Sequence, residues 1–188
     1  MVESRSRRVK VSTVAVPAAF LVIVALAVLS YFATRATITA GPAFAVPGAT
    51  TTGSFYSVPW RNGTHLVIIA SFIPSRAVRV RSITVTGLDP KDAILERAEY
   101  GFWDGTTPLP SFATQAEALP EFLHPRPVAG AFSAPAHSRV FLRILLKAIA
   151  DAKVAYELTG IRVDAESWSW AHTTLVLFKQ PVRITPPG

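Results

Sequence analysis

The 188-residue chain contains no cysteine, one methionine (Met1) and a net charge of +7. That composition excludes a disulfide framework, thiol redox chemistry and cysteine-ligated metal, so any folded domain must be held by its apolar core. Residues 1–35 carry five basic residues against one acidic, a net of +4, and residues 36–188 carry fourteen against eleven, a net of +3. Over half of the excess sits at the start of the chain, which excludes reading the basic balance as nucleic-acid binding.

Arg5, Arg7, Arg8 and Lys10 lead into Val11–Phe32, where 18 of 22 residues are apolar and none is charged. As a helix, such a run reaches about 33 Å, enough to cross a hydrocarbon core of about 30 Å. No polar stripe divides it, as a buried amphipathic helix would require. Pro17 falls in the second turn, where a missing amide is tolerated. Basic residues are retained on the cytoplasmic side. The expectation is a cytoplasmic basic segment over 1–10, a transmembrane helix over 11–33, and an exported remainder at the cell membrane. A cleaved signal peptide would export the same remainder. Its apolar region usually runs about 7–15 residues, less than Val14–Leu29 here, and Thr34-Arg35-Ala36 and Gly41-Pro42-Ala43 are poor cleavage sites.

Residues 34–59 are small and punctuated by Pro42, Pro47 and Pro59, which reads as an extended linker with an edge strand near Phe55-Tyr56. Trp60 stands beside that linker, a position suited to a membrane interface. Asn62-Gly63 is a turn signal. His65–Ile73 is a nearly continuous apolar run closed by Pro74, the pattern of a strand buried on both faces. Arg76–Thr86 alternates, with a slip near Arg81-Ser82 that points to a bulge. Gly87–Asp92 reads as a turn. Ala93–Trp103 gives a further strand, with Ala98, Tyr100 and Phe102 on one face and Arg97 and Glu99 on the other.

Residues 106–137 hold six prolines and no sustained period. A loop of that length is uncommon in a compact domain and is often functional; a helical turn is conceivable at Thr114–Ala118. The stretch 139–150 reads two ways. As a strand it turns Val140, Leu142, Ile144 and Leu146 to the core; as a helix capped by Ser138 it lines up Arg139, Arg143 and Lys147. Its strand neighbours and β-branched alternation favour the strand. Lys153–Asp164 is a strand with a bend at Thr159-Gly160, and Trp168–Phe178 and Pro181–Ile184 supply the last strands. Short strands separated by turn residues point to an all-β fold, an antiparallel β-sandwich over 60–188.

Chemistry-bearing motifs are sparse. His65, His124, His137 and His172 show no metal-ligand spacing, although His124 and His137 flank the proline-rich loop. Neither a Gly-x-Ser-x-Gly nor a Ser-x-x-Lys nucleophile motif occurs. Glu117 with Glu121, or Asp164 with Glu166, are the carboxylate pairs available for acid/base work, and each equally suits a solvated surface. The sequence therefore assigns no catalytic residue, no metal and no cofactor. The most suggestive cluster is Trp168, Trp170 and His172, which share one face of a strand. Exposed, they would form a stacking platform for glycan or a partner's hot spot; buried, they are core.

The span Val11–Phe32, the run RVRSITVTGLDP at 79–90, and the closing VAYELTGIRVD at 154–164 with LVLFKQPVRITPP at 175–187 together resemble uncharacterised bacterial single-pass membrane proteins with one exported immunoglobulin-like β-sandwich. Members of that group often carry paired cysteines in the second half, and this chain has none. The resemblance implies a fold and a location and carries over no catalytic residue. The expected role is a non-enzymatic interaction or structural one in the cell envelope. Its partners would be the lipid bilayer through the N-terminal helix and envelope proteins or glycan through the sandwich. The alternative is a ligand-binding module that uses the Trp168/Trp170 face and the 106–137 loop.

Overall fold

The computed structural model describes residues 15–34, 36–46, 50–52, 55–103, 105–108, 118–167 and 170–188. The chain falls into two units, residues 1–35 and 36–188.

The first unit contains α1 (Ala15–Thr34), 20 residues with no acidic residue in its first turn and no basic residue in its last. Every described side chain in it, from Phe20 to Tyr31, is exposed. Those twelve residues cover about 18 Å of helix. Among the described residues no helix is long and apolar enough to cross a membrane.

The second unit is a two-sheet β-sandwich. Its strands are β1 (Ile38–Val46), β2 (Thr50–Thr52), β3 (Phe55–Pro59), β4 (His65–Pro74), β5 (Val78–Thr86), β6 (Ala93–Trp103), β7 (Arg126–Pro127), β8 (Phe132–Ala134), β9 (Arg139–Ala148), β10 (Tyr156–Ser167) and β11 (Trp170–Thr185). The first sheet runs β1-β4-β9-β6-β7 and the second β2-β3-β11-β10-β5-β8. Among the described strands every pairing is antiparallel except β3 with β11, which is parallel.

The linker expected over 34–59 is replaced by structure. β1 is a full strand of the first sheet, paired with β4 from Ile38↔Pro74 to Val46↔Val67, and β3 joins the second sheet. The sandwich unit therefore starts at Ala36 rather than at residue 60. Small side chains misled the reading: Ala43 and Ala45 are buried where β1 lies against β11. Trp60 is likewise not at an interface. It is fully buried, and its indole Nε1 donates to the Asp92 carbonyl at 3.2 Å.

The apolar run of β4 is buried on both faces, as the sequence predicts. Leu66, Ile68, Ala70 and Phe72 enter the core between the sheets, while Val67 and Ile69 pack outside with Leu145. The stretch from residue 139 is a strand, with Val140, Leu142, Ile144 and Leu146 inward. Full burial of one such aliphatic side chain contributes about 1.5–3 kcal/mol. The parity slip at Arg81-Ser82 is a bulge: Val80 pairs Ala165 and Ser82 pairs Asp164, leaving Arg81 over. Val78, Val80, Ile83 and Val85 can thus all serve the inner face. A second irregularity falls at Thr159, which stands opposite Phe178–Pro181 of β11 between the pairs Leu158↔Val182 and Gly160↔Leu177, and a further bulge lies in β6 at Glu96, between Leu95 and Arg97.

The outer face of the first sheet is roofed by the chain that follows β6. A 3-10 turn, Glu121–Leu123, brings Leu119 and Leu123 onto Phe141, with Trp103 and Phe122 alongside. Gly101 permits the approach, since a Cβ there would stand 2.8 Å from the Leu123 Cβ.

Candidate binding site

Of the residues that the sequence groups, Trp168 lies outside the described residues. Trp170, at the start of β11, is 48% exposed, whereas His172, two residues on, is buried at 9%. Trp170→Ala should therefore cost at most about 1 kcal/mol of stability, in line with a surface substitution. Chemical denaturation of the two proteins checks this, and a loss above about 2 kcal/mol would return Trp170 to the core.

The other candidates are dispersed. His65 pairs with Glu96 at 3.0 Å on the surface. His124 and His137 both occupy left-handed backbone, at φ 48° and 60°. His124 ends the 3-10 turn, and the His137 amide donates to the Pro74 carbonyl at 2.8 Å. Of the proline-rich segment, residues 109–117 lie outside the described set, and with them Glu117 and most of the helical turn expected at Thr114–Ala118. Among the described residues no three His, Asp or Glu side chains gather to hold a metal.

Asp164 and Glu166 lie on the outer face of the second sheet, and each is engaged. Asp164 accepts from the Thr173 hydroxyl at 2.7 Å, the Ser82 hydroxyl at 2.8 Å and Arg162 Nε at 2.9 Å. The Thr173 hydrogen bond, helped by those from Ser82 and Arg162, holds the Asp164 carboxyl below its ordinary range against the opposing effect of desolvation. Glu166 is paired with Arg81. Tyr156 shows the opposite effect. Burial, reinforced by Asp92 and Asp89, pushes its phenol up to about 12, so it stays neutral across the physiological range.

A cavity between the sheets escaped the sequence reading. It measures about 160 Å³. Ile83 and Val85 of β5 form one wall, Leu95 and Ala98 of β6 the other, and Ile144 and Leu146 of β9 the floor. Leu88 and Val128 form the rim, and Thr84 of β5 completes the lining. Protein interiors hold few voids larger than a water. The sequence carried half of the signal, in the parity slip at Arg81. The other half, the adjacent apolar pair Ile94-Leu95 before Glu96-Arg97, is visible as a broken alternation only once the strand pairing is known.

No protein-family model and no curated protein matches the chain.

Proposed function

We propose that the chain is a single-pass membrane protein whose extracytoplasmic, immunoglobulin-like β-sandwich serves a non-enzymatic interaction role in the cell envelope. The observation that carries this reading is the charge-free run Val11–Thr34, preceded by four basic residues and followed by a β-sandwich that begins at Ala36. An apolar helix with no polar face suits lipid better than water. The flanking charge would retain the N-terminus inside.

The immunoglobulin-like part of the reading rests on strand order. Four strands in the order β1-β4-β9-β6 face three in the order β11-β10-β5. This is the arrangement of strands A-B-E-D opposite G-F-C. The first strand divides between the sheets, β1 in one and β3 in the other, with β3 parallel to β11.

Because the chain has no native cysteine, topology can be read from single introduced thiols. In intact cells a membrane-impermeant maleimide should label Ser133→Cys, on an exposed position of β8, and should label Ser6→Cys only after lysis. Labelling of Ser6→Cys alone, or of neither before lysis, would overturn the orientation. Release of a shortened chain lacking residues 1–35 into the medium would replace the anchor with a cleaved leader.

A ligand-binding role is the second reading, and the cavity between β5 and β6 is the observation that favours it.

A further inference from the structure

The flank of the sandwich formed by β5 and β6 is not closed by a full strand. β8 pairs with β5 only at Val78–Val80, and β7 pairs with β6 only at Glu99 and Tyr100. Past those points, Ser82–Thr86 and Ala93–Arg97 run as edges on either side of the space between the sheets, and the Val128 amide donates to the Ala98 carbonyl at 2.8 Å. A bulge at Arg81 adjoins the first edge and a bulge at Glu96 lies within the second. Bulges bend a strand and increase its local twist. On the opposite flank β1 lies against β11.

The lining restricts what can enter. Among the described residues, no charged and no aromatic side chain lines the space; besides Thr84, an exposed residue of β5, the lining is aliphatic. A sugar, an ion or a peptide backbone would leave its polar groups unpaired there. A volume of about 160 Å³ matches an apolar cavity that stays dry and takes up a six-carbon guest such as benzene. Aliphatic walls without a ring partner favour a flexible chain over a flat ring. Leu95 is 53% exposed although it lines the cavity, so the mouth opens beside it.

We propose that this cavity binds one alkyl chain, admitting about six terminal carbons past Leu95 and leaving the polar end in solvent. The chemistry is that of a free fatty acid or of a membrane-lipid acyl chain. The site belongs to the 36–188 unit and does not depend on the anchor.

The test uses the full chain in nanodiscs, free of detergent. One arm adds palmitic acid bearing a diazirine near its methyl end; the other places the same chain in the disc phosphatidylcholine. After irradiation, crosslinks should map to Ile83–Leu88 or Leu95–Ala98 in at least one arm, and the arm that labels identifies the source. Ala98→Leu should fill the space and reduce crosslinking there at least tenfold, with the melting temperature unchanged or raised. Ala98→Val, a smaller change, should reduce it severalfold and guards against a folding defect in the first variant. Absence of crosslinks at both segments in both arms, or equal crosslinking in the wild type and the Ala98 variant that folds, would overturn the proposal.

Discussion

Replacing Trp60 with alanine is expected to destabilise the sandwich by about 3–5 kcal/mol, the range for removing a fully buried large aromatic. Four parts of the fold meet at this residue. Its amide donates to the Thr185 carbonyl of β11 at 2.9 Å, and its own carbonyl accepts from the Ala152 amide at 3.1 Å. Its indole Nε1 reaches the Asp92 carbonyl at the start of β6, and its chain position joins β3 to β4. Trp60→Phe retains most of the apolar volume and loses the donor. It should cost about 0.5–1.5 kcal/mol, the net value of one hydrogen bond, because the Asp92 carbonyl still accepts from the Ile149 amide at 2.9 Å. Urea denaturation followed by far-UV circular dichroism resolves both values. If Trp60→Ala came within about 1 kcal/mol of the wild type, Trp60 would not be a core residue, and the membrane-interface position suggested by its place in the sequence would stand again.

The contrast between Trp60 and its neighbours shows what the sequence could convey. β4, β6 and β9 were legible because large aliphatic side chains mark their faces, and the irregularities at Arg81 and Thr159 were legible as interruptions in that marking. β1 was not, because its packing depends on having little side chain. Gly41 lies so close to Ser71 that a Cβ there would stand 2.2 Å from the Ser71 hydroxyl oxygen. Ala43 and Ala45 are buried by the nearness of the other sheet. A strand made of small residues and prolines has the composition of a linker, and only its partners distinguish it. The cavity is hidden for a related reason. Its lining comes from β5 in one sheet and from β6 and β9 in the other, and their meeting is a property of the sandwich rather than of any one stretch. For Trp170 and His172, alternation gave the shared parity but not that Trp170 is exposed and His172 buried.

The outer face of the first sheet supplies the second large effect. Glu99 of β6 and Arg143 of β9 are cross-strand partners, with side chains 11% and 10% exposed and Arg143 Nη1 standing 3.7 Å from Glu99 Oε2. Arg97 pairs with the other carboxylate oxygen of Glu99. Removing one member of a buried pair strands the other charge away from water. Glu99→Leu is therefore expected to cost about 3–5 kcal/mol, well above the 0–1 kcal/mol typical of an exposed ion pair. Substituting both, as Glu99→Leu with Arg143→Met, removes the desolvation penalty together with the attraction. The double variant should return to within about 1 kcal/mol of the wild type. The coupling from the four proteins should accordingly be large, at least about 2 kcal/mol. It should change little between low and moderate salt, because a buried pair is weakly screened. Additive single effects, or a coupling that salt abolishes, would mean that water reaches this face. A strongly non-additive result would identify Glu99 and Arg143 as a polar fastening between β6 and β9, on a strand face that also carries Phe141 and Leu145.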